Sequence, residues 1–233
     1  MDFQIQLHEL EERTDAALGS LEQNDRWAEA LAIYQAAGTE VDALAIPKTD
    51  PAYKDAQRLR AYLYLREANA LRALGRPAEA EPLAYRELDA AMASGHSLSI
   101  ARATFSLGAS CLANREIERG VKFLNDSRPM FEHQEDDEHR QGLGWWYIIQ
   151  ADIGNAGIVP QAPEETLQHA EAALEILRPL ENWPGVVRAH AARAKGCERL
   201  GDVEAARVAR AAEQMAAEMM KRAGHHSDHS ESG

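Results

Sequence analysis

Apolar residues in this chain recur every three or four positions and almost nowhere every second position. Alanine and leucine alternate with charged residues at those intervals. Wound at 3.6 residues per turn, each such stretch presents one apolar stripe and one wet face. A half-buried strand would need strict alternation instead. Breakers interrupt the pattern at spaced intervals: Asn24-Asp25, Pro47 to Pro51, Gly75-Arg76-Pro77, Gly95, Asn114, Gly154 to Pro163, Pro184-Gly185 and Gly201-Asp202. The stretches between them mostly run about 12–25 residues, long enough for helices and too long for ordinary strands. The predicted fold class is all-α, with roughly ten helices joined as antiparallel pairs by short turns.

Acidic residues number 38 and basic residues 25, a formal net charge of −13. Such a balance repels a phosphate backbone unless the basic residues gather on one face, so no nucleic-acid partner is expected. The two cysteines, Cys111 and Cys197, cannot build a disulfide framework, and a reducing, cytoplasmic compartment is the simpler expectation. The N-terminus, Met1-Asp2-Phe3-Gln4, lacks the positive start and apolar run of a secretory signal. The longest near-apolar run, Leu143 to Ile149, falls far short of the about 20 residues that cross a bilayer, so no membrane insertion is expected. Residues 224–233 form a His/Ser-rich tail expected to be disordered, because nothing in it can be buried to offset ordering entropy. His225, His226 and His229, with Asp228, are of metal-ligating type, but a solvated tail is the simpler reading and no metal site is assigned.

Five segments place a small residue where two helices would cross closely. They read Trp27-Ala-Glu-Ala30-Leu-Ala-Ile-Tyr34, Pro77-Ala-Glu-Ala80, Ile117-Glu-Arg-Gly120-Val-Lys-Phe-Leu124, Thr166-Leu-Gln-His-Ala170 with Leu174, and Val203-Glu-Ala-Ala206. Several follow a helix that ends in a turn: Leu71-Arg-Ala-Leu-Gly75, Cys111-Leu-Ala-Asn114 and Cys197-Glu-Arg-Leu-Gly201-Asp202. A larger side chain at the crossing would force the backbones apart. Gly75 and Gly201 suit the left-handed backbone at a helix C-terminus.

These residues resemble the tetratricopeptide repeat (TPR), a helix–turn–helix unit of about 34 residues. Leu107-Gly108 with Gly120 and Leu124 matches the family's spacing in the middle segment. Ala194, Gly201-Asp202, Val203 and Ala206 match it in the last, Tyr64, Ala68, Leu71, Gly75 and Ala80 in the second, and Trp27, Ala30, Tyr34 and Ala37 in the first. The similarity spans roughly residues 10–220 and departs from the family in period. The small residues at 30, 80, 120, 170 and 206 are separated by 50, 40, 50 and 36, as in a long-period, irregular variant. In the fourth segment Gly144 and Ala151 compete for one position, which leaves two registers open. The resemblance implies a TPR-like helical repeat domain over residues 1–223, with units near 10–45, 54–93, 98–132, 138–180 and 186–222. These would stack about five helix pairs into a right-handed α-α superhelix, a solenoid with a concave groove.

By the same resemblance, the first helix of each unit lines that groove. The groove-facing candidates are Tyr62, Arg66, Asn69 and Arg72 in the second unit, Arg102 and Phe105 in the third, and Arg188 and Lys195 in the fifth. A cationic, partly aromatic wall of this kind suits a protein or peptide segment with acidic residues, held by charge-assisted hydrogen bonds. The competing expectation pairs these arginines with acidic neighbours such as Glu67 and Asp89 on solvated faces. Relatives that hold chaperone C-terminal carboxylates use a lysine and asparagine set. Asn69 and Arg102 match part of it, but Leu65 and Ser106 interrupt it, so that partner class is disfavoured. Trp145, Trp146 and Tyr147 stand together, and neighbours on a helix point about 100° apart. One of the two tryptophans therefore turns outward, and Trp145 joins the binding candidates as an aromatic anchor.

Catalytic signatures fail. His8-Glu9 is followed by Leu10, Glu11 and Glu12 rather than by the second histidine of a zinc-protease helix. Gly142-Leu-Gly144 lacks the third glycine and the preceding strand of a dinucleotide fingerprint. Ser110 lacks the second flanking glycine of a nucleophile elbow. The acidic run 132–139 has no central glycine and so is not a calcium loop. No catalytic residue, cofactor or metal is assigned. The expected function is a non-enzymatic protein–protein interaction adaptor or scaffold. The alternative is a sensory helical-repeat receptor that closes around a small peptide or inducer. A homo-oligomer is a further expectation, because the last helix presents Met215, Met219 and Met220.

Overall fold

The computed structural model describes residues 3–230, without the side chains of residues 19, 20, 23 and 223–230. Ten α-helices follow one another: α1 Phe3–Ser20, α2 Trp27–Ala43, α3 Tyr53–Ala73, α4 Pro77–Ser94, α5 Ser97–Ala113, α6 Ile117–Glu132, α7 Asp137–Asn155, α8 Pro163–Leu177, α9 Trp183–Leu200 and α10 Val203–Ser230. A 3-10 turn, Glu22–Asn24, lies between α1 and α2. The fold is all-α, with no strand among the described residues. None of these helices is long and apolar enough to cross a membrane. The side chains of the expected tail, its three histidines and Asp228 included, and its last three residues lie outside the described residues. Its backbone as far as Ser230 continues α10.

Helix starts have local causes. Pro77 and Pro163 sit in the first turn of α4 and α8, where a missing N–H costs nothing. The carboxylate of Asp136 accepts from the His139 N–H at α7, Asn182 Oδ1 from the Gly185 N–H at α9, and Asp202 Oδ1 from the Ala205 N–H at α10. Six joints share one device: a left-handed residue two positions before the next helix. Glycine supplies it at Gly75, Gly95 and Gly201, with φ of 73°, 70° and 77°. Asp25, Arg115 and Glu181 supply it at 57°, 65° and 52°. The joint before α6 therefore turns on Arg115, one residue past the Asn114 that marks it in the sequence.

The helices pack as two compact units, Met1–Ser127 and Arg128–Gly233. In the first, α3 packs on α2 and α4 and also touches α1 and α5. In the second, α8 lies between α7 and α9, α10 packs on α9, and α7 reaches α9 directly. Contacts that skip one helix are what stacked helix pairs require.

The small residues at the expected crossings are closely packed. Ala30, Ala80, Ala170 and Ala206 are all buried. Ala68 and Ala80 share one apolar cluster. A Cβ added to Gly120 would lie 2.6 Å from Leu112 Cγ and 3.0 Å from the Gly108 carbonyl oxygen. These pairs stand twelve residues apart, as do Ala194 and Ala206. In the fourth pair Ala151 clusters with Ala170 and Ala192, whereas Gly144 meets Leu177, 2.5 Å from an added Cβ. Ala151 therefore takes the crossing position. The loop 156–162 stretches its separation from Ala170 to nineteen residues and hides the register.

Candidate functional site

Tyr62, Arg66, Asn69 and Arg72 fall on one face of α3, as their spacing requires. Each is half-buried and hydrogen-bonded within the first unit. The Tyr62 hydroxyl donates to Asp15 Oδ1 at 3.0 Å, and burial raises its pKa. The Arg66 guanidinium grips both carboxylate oxygens of buried Glu22, whose Oε1 also accepts from the Tyr34 hydroxyl at 2.6 Å. Arg72 donates to Asn69 Oδ1 and Ser110 Oγ, and burial lowers its pKa. Arg66 is thus held by Glu22 rather than by Glu67 or Asp89. Glu22 escaped the sequence analysis because it sits in the turn after α1, far from α3 in the chain.

Arg102 and Phe105 lie half-buried on α5. Arg102 and Arg72 act electrostatically on Glu87, a fully buried carboxyl of α4. Burial nevertheless pushes Glu87 up to about 8, against the Ser106 hydroxyl and the two guanidinia. Its Oε2 has no hydrogen-bond partner among the described residues. Glu67 of α3 rises to about 7 for the same reason, with Gln35 and Arg86 opposing. Periodicity sets these two on the mostly apolar buried faces of α3 and α4, but a glutamate there reads as a solvated charge.

The second unit is built differently. Trp146 is buried, and Trp145 is half-buried against the Ile148–Leu177–Val186 cluster, so Trp145 is the outward member of the pair. Asp152, seven residues on and so on the same α7 face, accepts from Arg188 Nε at 3.0 Å and lies 2.9 Å from its Nη2. Arg188 in turn shares an α9 face with exposed Lys195. This ion pair ties α7 to α9; Trp145 lies two turns before Asp152 on α7, and Lys195 two turns after Arg188 on α9. The guanidinium of Arg128 lies 5.0 Å from the Trp146 ring centre and 5.8 Å from that of Tyr147, with His169 packed edge-on to Trp146 at 6.1 Å. No local pattern marks Arg128 or His169 for that stack.

Glu81, Cys111 and Glu116 bring three possible ligand atoms within 4.8 Å of one another. Their surroundings do not favour a cation. Burial and the two carboxylates push the Cys111 thiol up to about 11, Asn114 donates to Glu81, and Arg119 lies against both acids. The Cys197 thiol is likewise raised by burial. A reactive thiolate needs the opposite environment. Within the acidic run 132–139, Asp136 caps α7 and its Oδ2 lies 2.7 Å from His139 Nδ1.

No protein-family model matches the chain, and no curated protein matches it. Solved structures do. The crystal structure of BtubC (BKLC) from P. vanneervenii superposes with a TM-score of 0.58 at 14% identity, covering 95% of this chain and 93% of that one. A putative kinesin light chain of P. anserina with nearly identical TPR-like repeats gives 0.54 at 17% identity, covering 90% and 95%. The fold is that of TPR-like helical repeats. A point variant of the P. anserina protein gives 0.50 at 15% identity, covering 93% and 98%. The TPR-like fold accounts for the skipped-helix contacts in each unit and for the buried small residues at the crossings.

Proposed function

We propose that this chain is a non-enzymatic protein-interaction scaffold that holds an acidic peptide segment of a partner protein. The observation that supports this reading best is the Asp152–Arg188 ion pair, which ties the helix of half-buried Trp145 to the helix that carries exposed Lys195. An aromatic anchor and an exposed cation spaced along adjoining helices suit an extended acidic segment. The TPR-like fold supports a scaffold over a catalyst, and the buried, protonated thiols agree with that. Tyr62, Arg66, Asn69 and Arg72 remain part of the proposed wall in the first unit. There they orient one another and neighbouring acids rather than presenting free charge. Two buried cysteines that form no disulfide support a reducing, cytoplasmic setting.

Peptide display against the purified chain tests this. Selected sequences are expected to be rich in Asp and Glu with an apolar anchor. Lys195→Glu and Trp145→Ala should each weaken the best binder by roughly tenfold, about 1.4 kcal/mol. Lys195 is exposed, so its variant should melt at the wild-type temperature. Random selected sequences, or full binding by Lys195→Glu, would overturn the reading. A small molecule retained in native mass spectrometry would replace it with the receptor reading.

A further inference from the structure

The last helix is buried on one side only. Ala206, Ala209 and Ala216 of α10 are buried, and the helix packs on α9. Beside that face runs a second apolar stripe, Val208, Ala212, Met215 and Met219. Its 4-3-4 spacing is the seam of a two-helix coiled coil. Val208, Met215 and Met219 are 50%, 68% and 43% exposed. Met220, by contrast, is half-buried and takes no part. A stripe this open on a soluble face calls for a partner.

The charges along the stripe identify that partner. Reading from the N-terminal end, the wet flank carries Glu204, Arg207, Glu218 and Arg222, all exposed. The order is negative, positive, negative, positive, so the flank is complementary to itself when reversed. We propose that α10 pairs antiparallel with α10 of a second copy of this chain, about a two-fold axis near residues 213–214. In that register Val208 meets Met219 of the other copy and Ala212 meets its Met215. Glu204 comes opposite Arg222, and Arg207 falls within a turn of Glu218. Each contact occurs twice, as an isologous interface demands. Parallel pairing would instead carry the two copies of this flank to opposite sides of the seam, where they could not meet. Arg207 now pairs with Glu204 on its own helix, but both are more than 70% exposed, so the pair is weak and exchanges readily. The net charge of −13 repels two copies, which makes the dimer reversible and concentration-dependent.

This face shares no residue with Trp145, Arg188 and Lys195, so the two readings stand or fall separately. Sedimentation equilibrium of the full chain over a concentration series tests the pairing. The expected result is a reversible monomer–dimer equilibrium that Met215→Glu abolishes without loss of helical circular dichroism. Glu218→Arg should weaken the dimer about tenfold, and adding Arg207→Glu should restore it. Restoration is specific to this antiparallel register, because indiscriminate apolar association would not need the reversed pair. A monomer at every concentration up to about 1 mM overturns the proposal. So does a dimer indifferent to Met215→Glu, a double variant no tighter than Glu218→Arg alone, or a monomer that uses this stripe to bind a different protein.

Discussion

Arg115 holds a left-handed backbone, φ 65°, at an exposed joint where its side chain makes no hydrogen bond or ion pair among the described residues. An L side chain in that conformation costs about 1 kcal/mol that glycine avoids. Arg115→Gly should therefore raise the unfolding free energy by about 0.5–1 kcal/mol in urea titrations, even though glycine usually weakens a chain. Glycine-to-alanine changes split by site for the converse reason. In α2 the nearest atom to an added Cβ on Gly38 is Glu67 Oε1 at 3.7 Å, so Gly38→Ala should gain up to about 1 kcal/mol of helix propensity. Gly120→Ala would drive its methyl into Leu112 and the Gly108 carbonyl, and should lose about 1–3 kcal/mol. Thermal melts of the two variants are expected to move in opposite directions. The same comparison explains what was legible. Gly75, Gly201 and Gly120 announce themselves because no other residue fits cheaply. Asp25, Arg115 and Glu181 do the same job at a tolerable cost, so three of the six joints carry no glycine signal.

Within the α3–α4–α5 packing, the legible part was the apolar stripe and the hidden part was the polar residues set into it. Arg66 is a groove candidate by helix position, yet its partner Glu22 comes from a turn 44 residues earlier, a pairing that no local spacing reveals. Glu67 and Glu87 look like solvated charges in the sequence and are buried in the fold. Their burial has a pH consequence. Both folded-state pKa values, about 7 and about 8, lie above the ordinary value of 4.5, so the native state binds protons that the unfolded chain releases. Their protonated state supports the fold fully below pH 4.5. That support is lost as pH rises, through 7 for Glu67 and 8 for Glu87. The midpoint of urea unfolding should fall steadily from pH 5 to pH 8.5. Glu87→Gln keeps the neutral shape and should flatten that slope by up to one proton. A slope unchanged in Glu87→Gln would show Glu87 ionised in the fold, held by Arg72 and Arg102.

At the scale of the whole chain, a stack of helix pairs gains its stability from neighbours, so local damage stays local. The tryptophans make this measurable. Trp27 lies in the first compact unit, and Trp145, Trp146 and Trp183 lie in the second. Arg66→Ala strands the buried Glu22 carboxylate beside Tyr34 and should cost about 3 kcal/mol. That loss falls on α1 to α3. Helical circular dichroism should then begin to fall at lower urea than tryptophan fluorescence, which mostly reports the other unit. In the wild type the two curves should lie closer together. Had Arg66 been a free groove residue, Arg66→Ala would leave both curves where they were. If instead both shifted together by the full amount, the chain would unfold as one cooperative body, and nearest-neighbour stacking would be the wrong account of its stability.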